Sequence, residues 1–297
     1  MIYQGWGNRL LNITAAIKRV LPAPAFNAVR SSPYKLRDLI QPPPAGEIIP
    51  PLSLQTDGPR GFDIFRANGR EAYQYYLSEV GVKPGSRILD IGCGVGRKTI
   101  PLLNYLGSEG LYVGMDIDAN AVKWCSRNIT AEHPNFVFFT LDIFNKFYNP
   151  AGRIEPANLV LPFPDDSFDY VALWSVFTHM YPGDVQHYLD EARRVLKPSG
   201  RIVASYYLIN PHAKTEVAAG RALWDVRFYL DAQKCWTNNP NIPEDLIGLE
   251  EDWLRGAYER AGLRIAEPLQ LGGWAGRIVP DQFRSLNSQD IVIADKI

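Results

Sequence analysis

Asp90-Ile91-Gly92-Cys93-Gly94-Val95-Gly96-Arg97 continues the apolar run Arg87-Ile88-Leu89-Asp90-Ile91 and leads into a segment of helical spacing. Glycines at every second position between a strand and a helix let the backbone turn tightly and approach a ligand closely. A dinucleotide-binding turn would want a third glycine or alanine at position 97, where the bulky Arg97 stands. At the end of the next apolar run stands Gly114-Met115-Asp116, which places Asp116 to accept hydrogen bonds from ribose hydroxyls.

Outward from this turn, strand and helix patterns alternate. Helices are expected over 70–80, 100–106, 120–130 and 184–196, and strands over 87–91, 111–117, 136–141, 168–174 and 202–209. Short apolar strands separated by crossover helices predict a mostly parallel, doubly wound α/β sheet. A helix over 250–261, stopped by Gly262, and two last strands over 263–269 and 291–294 follow. Residues 211–249 carry Pro211, Pro240 and Pro243 without a clear period, and read as a lid-like insertion. Residues 1–65 read as an appendage, and 66–297 as the folded domain. The appendage holds an amphipathic helix over 10–20, stopped by Pro22 and Pro24, and a proline-rich extended segment over 41–51.

The 46% apolar and 21% charged content excludes a mostly disordered chain and a collagen-like fibre. Cys93, Cys125 and Cys235 are odd in number and widely spaced, which argues against a disulfide scaffold and a thiolate zinc site, and no other metal-ligand spacing is present. The net charge of −1 gives no general polyanion-binding signature, so nucleic acid is not an expected partner. Arg9, Lys18, Arg19, Arg30, Lys35 and Arg37 stand against Asp38 alone in residues 1–40, a local excess of five positive charges. Without a secretory segment or a long apolar run, the expected location is cytoplasmic, with peripheral contact at the inner face of the membrane through residues 1–40 or a lid role for the same helix.

The run from Lys83 to Asp118 resembles motif I and the following acidic strand end of class I S-adenosylmethionine-dependent methyltransferases. Leu161-Pro162-Phe163-Pro164-Asp165-Asp166-Ser167-Phe168-Asp169 resembles that family's approach to strand four, and Val195-Leu196-Lys197-Pro198-Ser199-Gly200-Arg201 its entry to strand five. The resemblance implies a Rossmann-like seven-stranded sheet in the order 3-2-1-4-5-7-6 with the last strand antiparallel. S-adenosyl-L-methionine is the implied cofactor. Gly92, Cys93, Gly94 and Gly96 would then cradle its methionine part, Asp90 would engage it through the loop, and Asp116 would hold the ribose. Asp142 would meet the adenine amino group, Ile117 and Ile143 would flank the ring, and Ser175 would complete the cofactor side.

Phe144-Asn145-Lys146-Phe147-Tyr148-Asn149-Pro150-Ala151-Gly152, Ser175-Val176-Phe177-Thr178-His179-Met180, Gly273-Trp274-Ala275-Gly276-Arg277 and Gln289-Asp290-Ile291-Val292 resemble a bacterial subfamily associated with surface glycan, glycolipid or secondary-metabolite assembly. Ala275 departs from that subfamily's pattern, where a cysteine is frequent.

Methyl transfer to a hydroxyl requires alignment, exclusion of water and removal of one proton. His179, just past strand four, is the first candidate base, and His212, after strand five, the second. A capping or packing role for His179 is the alternative. Phe177, Tyr207 and Arg277 are expected on the acceptor side, although aromatics beyond strand five also suit a packed lid core, and Arg277 has a surface acid, Asp281, as its other possible partner. No Asn/Asp-Pro-Pro-aromatic run follows strand four, which argues against an exocyclic nitrogen acceptor. O-methylation of a small-molecule, glycan or glycolipid acceptor is therefore the leading expectation, ahead of C- or N-methylation of a metabolite and of a catalytically silent cofactor-binding scaffold.

Overall fold

The structure, a computed structural model, describes residues 23–56 and 58–297, with side chains from residue 31 onward. The amphipathic segment expected over 10–20, with Arg9, Lys18 and Arg19, lies outside the described residues.

Strands β1 (Arg87–Ile91), β2 (Leu111–Asp116), β3 (Phe136–Thr140), β4 (Phe168–Leu173) and β5 (Leu196–Tyr206) are mutually parallel, and β10 (Leu263–Ile265) and β11 (Asp290–Lys296) complete the sheet. Its order is β3-β2-β1-β4-β5-β11-β10, with β11 antiparallel to both neighbours. Counting β10 and β11 as the sixth and seventh strands, this is the expected 3-2-1-4-5-7-6 arrangement. In β1 the residues from Ile88 to Ile91 are all buried, as a strand covered by helices on both faces requires.

Two apolar layers cover the faces. On one, helix α4 (Pro182–Val195) buries Val185, Tyr188, Leu189, Ala192 and Val195 beside Leu254, Ala257 and Tyr258 of α6 (Glu251–Arg260). On the other, α2 (Phe62–Tyr75) and the π-turn continuing it from Tyr76 to Val80 place Ala72, Tyr75, Tyr76 and Val80 against Ile88, Tyr112 and Trp174. Helix α3 (Ala119–Cys125) begins at Asp118, whose carboxylate accepts from the N–H groups of Asn120 and Ala121, a side-chain cap at the end of the β2 turn.

Three expectations are corrected. The helix expected over 100–106 is a single 3-10 turn from Ile100 to Leu102, because the N–H groups of Leu102, Leu103 and Tyr105 donate to carbonyls three residues back, at Thr99, Ile100 and Leu102. The fifth strand begins at Leu196, and Ile209 leaves it to join a second sheet through β6 (Leu208–Ile209). Residues 211–249 are regular, too: α5 (Pro211–Ala218), β7 (Phe228–Leu230), β8 (Cys235–Thr237) and β9 (Ile247–Glu250), which extends one residue past the segment, build a four-stranded sheet with β6 in the order β6-β9-β8-β7.

The segment before α2 packs onto the domain. Helix α1 (Ala23–Ile40) is tied down by the Asp38 carboxylate, which accepts from the N–H groups of Leu52 at 2.7 Å and Ser53 at 3.1 Å. Ile49 and Phe65 are buried against Val95 of the glycine turn and Ala121 of α3. Arg97 is buried too, with its guanidinium 4.6 Å from the ring centre of Phe65 in α2 and its Nη1 donating to the Pro59 carbonyl at 3.4 Å, so the residue that spoils a dinucleotide turn anchors this covering segment.

Candidate active site

The glycine turn leaves β1 with Gly92, Gly94 and Gly96 all in the left-handed region, at φ of 82°, 54° and 74°. The geometry demands glycine at position 92, since a Cβ there would lie 2.3 Å from the Val176 Cγ2. The N–H groups of Gly92 and Cys93 both donate to the Met115 carbonyl, which ties the turn to β2. Asp116 holds the other side: its Oδ2 accepts from Gly94 N–H at 2.7 Å and its Oδ1 from Asp118 N–H at 2.8 Å. These bonds aim the carboxylate across the turn.

Below the turn, the buried Asp90 accepts from the Tyr112 hydroxyl at 2.5 Å through Oδ2, and Tyr112 shares a second hydrogen bond with Thr99 at 2.6 Å. Its Oδ1 is buried with no partner. Burial pushes this carboxyl up to about 6, against the opposing influences of the Tyr112 bond and the Lys98 charge. An unpartnered carboxylate oxygen under a left-handed glycine cradle suits a ligand with a positive or hydrogen-bonding head group, such as the methionine end of S-adenosylmethionine. The residues present fit that cofactor.

The adenine side is less open than expected. Asp142 is held by Arg153, whose Nε pairs with its Oδ2 and whose N–H donates to Oδ1 at 3.2 Å. The Arg153 bond holds the Asp142 carboxyl below its ordinary range. Ile143 is buried in the main core, and Ile117 packs against the same cluster with part of its surface uncovered. Cys93 is buried, and burial together with Asp116 and Asp90 pushes its thiol well up, which excludes a thiolate role.

Past β4, Ser175 adopts a left-handed φ of 57°. Its N–H donates to the Ser205 hydroxyl at 2.7 Å, its own hydroxyl to Gln289 Oε1 at 2.9 Å, and Gln289 Nε2 to the Tyr207 hydroxyl at 3.2 Å. Three strand ends, β4, β5 and β11, are joined by this chain. Tyr207 is nearly buried, with only its hydroxyl end in the network and its ring edge on Trp274. Phe177 is 0% exposed and stacks on Tyr206 at 5.3 Å, so it is a core residue and the expectation that it touches an acceptor is corrected.

His179 is half-buried at the end of the 3-10 turn from Phe177 to His179. Its Nδ1 lies 2.9 Å from the Glu244 carbonyl and its Nε2 lies 3.3 Å from the Tyr148 hydroxyl. A carbonyl only accepts, so Nδ1 carries the hydrogen and Nε2 of the neutral ring is the acceptor. The contact brings the loop after β3, the loop after β4 and the insertion together. The other candidate base is held elsewhere: His212, at the start of α5, has its Nε2 3.0 Å from the Ala275 carbonyl, a bond that anchors the turn after Trp274. Arg277 donates through Nη2 to Asn210 Oδ1 at 3.2 Å, and its Nη1 is buried without a partner. The expected alternative, Asp281, pairs instead with Arg284.

Sequence reasoning gave no role to Tyr148, Glu244 or Asp290. Asp290 is fully buried and accepts from Leu208 N–H at 2.7 Å, Gly272 N–H at 2.7 Å and Trp274 Nε1 at 2.6 Å. The Trp274 and Gln289-Asp290 motifs are therefore the two halves of one structural clasp. Among the described residues no group of three or more metal-binding side chains is found.

Residues 89–204 match the family model for a methyltransferase domain. A demethylmenaquinone methyltransferase of Lysinibacillus sphaericus (strain C3-41) is 32% identical over 127 residues, 43% of this chain and 47% of that protein. One from Bacillus cereus (strain AH187) is 31% identical over 122 residues, covering 41% of this chain and 45% of the relative. The chain thus aligns with about half the length of the curated relatives it matches. The crystal structure of the PH0226 protein from Pyrococcus horikoshii OT3 superposes with a TM-score of 0.51 at 15% identity, over 78% of this chain and 91% of the other, a likeness of fold. The family match falls on the parallel strands β1 to β5 of a Rossmann-like seven-stranded sheet, and likens this part of the chain to methyltransferase domains.

Proposed function

We propose that the chain is an S-adenosylmethionine-dependent methyltransferase acting on a small quinone-type acceptor, with transfer to a ring carbon preferred over transfer to a glycan oxygen. The observation that carries the cofactor half is the left-handed glycine cradle between the unpartnered Asp90 oxygen and the oriented Asp116 carboxylate. The acceptor half rests on the names of the demethylmenaquinone methyltransferases aligned with this chain.

Gly92 to Gly96 with Asp90 would hold the methionine part, Asp116 the ribose, and Ile117 with Asp142 the adenine side. The bound cofactor supplies an electrophilic methyl group. What remains for the protein is orientation, exclusion of water and proton removal. His179 presents Nε2 for that proton because the Glu244 carbonyl occupies the Nδ1 side. For a reduced quinone ring, loss of a hydroxyl proton raises electron density at oxygen and at the adjacent ring carbon, so one base serves attack from either atom. The insertion over 211–249 would act as the lid, since Glu244 comes from it, and Arg277, whose Nη1 is buried without a partner, would supply a donor for the acceptor's oxygen. The test is incubation with isotopically methyl-labelled S-adenosylmethionine and a short-chain demethylmenaquinol. Label in the ring methyl supports the reading; label only on oxygen, or binding without any transfer, overturns the acceptor assignment.

A further inference from the structure

Two segments distant in sequence converge on His179. The loop after β3 contributes Tyr148, whose ring edge contacts the imidazole with centroids 4.9 Å apart and whose hydroxyl lies 3.3 Å from Nε2. The Asn145 side chain shapes this loop: its Oδ1 accepts from the N–H groups of Phe147 at 3.0 Å and Tyr148 at 2.8 Å, while its Nδ2 donates to the His179 carbonyl at 3.4 Å. Phe147, buried beneath, braces the Tyr148 ring from 4.8 Å.

From the insertion comes Glu244, itself nearly buried. Its carbonyl takes the Nδ1 hydrogen, its Oε1 accepts from Lys146 N–H at 3.3 Å, and its Oε2 accepts from the Tyr181 hydroxyl at 3.5 Å. One residue therefore fixes the imidazole tautomer and pins the loops on both sides of it. With Nδ1 engaged, the basic face of His179 is Nε2, and the Tyr148 hydroxyl caps it. Tyr148 is 46% exposed, more open than the imidazole it caps, so a ligand arriving from solvent meets the phenol before the ring nitrogen.

We infer that Tyr148 and His179 form a two-member proton relay, with its direction set by the Glu244 carbonyl, through which a hydroxyl-bearing acceptor loses its proton. The inference rests on the methyltransferase reading above and extends it to a residue and a route. In the step, the acceptor O–H bond breaks and its proton passes to the Tyr148 oxygen, while the Tyr148 proton passes to His179 Nε2. The electron pair left on the acceptor forms the new bond to the methyl carbon as the carbon–sulfur bond breaks. The imidazolium, held by the Glu244 carbonyl at Nδ1, then returns one proton to solvent. For attack through carbon the ring hydrogen leaves as a proton and the hydroxyl is restored, so one proton is released per methyl group in either case.

The Tyr148→Phe variant removes one oxygen and keeps both ring contacts. Imidazole nitrogen resonances of the 15N-labelled full chain should show His179 with a protonated Nδ1 and an unprotonated, hydrogen-bonded Nε2, and the Nε2 resonance should move in Tyr148→Phe. This arm needs no acceptor. With demethylmenaquinol as probe, turnover should fall about 10²-fold or more in Tyr148→Phe and in His179→Asn, and the double variant should be no slower than the worse single one. Titration with S-adenosylhomocysteine should give the same affinity in all four proteins. An Nε2-protonated tautomer, an unmoved resonance in Tyr148→Phe, or full turnover by that variant overturns the relay. Failure of the wild-type chain to bind S-adenosylhomocysteine overturns the methyltransferase reading instead, so the two failures are distinguishable.

Discussion

Replacing Gly92 by alanine separates two costs at the turn on which the site depends. The first is backbone strain: at φ 82° an L-residue lies in the left-handed region, worth about 1–2 kcal/mol. The second is steric, because the new methyl would sit 2.3 Å from Val176 Cγ2, far inside ordinary carbon contact. Valine is stiff about χ1, so relief requires a shift of the segment leading to His179, and overpacking of this kind costs about 1–3 kcal/mol. The sum, about 2–5 kcal/mol, is readable as a shift of the urea midpoint at constant slope. Val176→Ala in the Gly92→Ala background should recover the steric part and leave the strain. S-adenosylhomocysteine affinity should drop in the single variant and return only partly in the double. Gly92→Ala with unchanged midpoint and affinity would refute the turn geometry, and complete rescue by Val176→Ala would refute the strain component.

Asp116→Ala should weaken S-adenosylhomocysteine binding by about 1–3 kcal/mol in titration calorimetry, through loss of charge-assisted bonds. Asp290→Ala strands three buried donors, Leu208 N–H, Gly272 N–H and Trp274 Nε1, each worth about 1–3 kcal/mol, so urea unfolding should show a loss above about 3 kcal/mol. Burial pushes the Asp290 carboxyl up to about 6, so between about pH 4 and 6 the folded chain holds more protons at this group than the unfolded chain. Its contribution to stability is therefore fully present below the unfolded value near pH 4 and is lost as pH rises through about 6, and the deficit of Asp290→Asn relative to wild type should shrink over that window. On α1, Leu36, Leu39 and Ile40 are exposed at helical spacing beside Lys35 and Arg37; the full chain should sediment with anionic liposomes at low salt, and the triple serine variant at those apolar positions should remain in the supernatant.

The parts of the fold legible in the sequence are those whose signal is local. Gly92 to Gly96 after the apolar run of β1, the acidic end of β2 at Asp116, and the helix over 184–196 that becomes α4 each announce themselves within a few residues, and the sheet order follows from the family resemblance those motifs carry. The small second sheet was illegible because its strands are two to four residues long, too short for a period to emerge. Phe177 misled because a residue following a strand end usually faces the site, whereas the 3-10 turn here carries it back beneath Tyr206. Glu244 gives no local sign of its role: the carbonyl that sets the His179 tautomer lies 65 residues away in sequence, and a backbone oxygen has no residue signature. Asp290 read as part of a motif, but only the fold shows that Trp274 is its partner.

Titration calorimetry of the full chain with S-adenosylhomocysteine tests the central claim most directly. One molecule should bind per chain at micromolar affinity, about −8 kcal/mol, with no heat from a nicotinamide dinucleotide under the same conditions. No binding of S-adenosylhomocysteine, or preferential binding of the nicotinamide dinucleotide, would contradict the account.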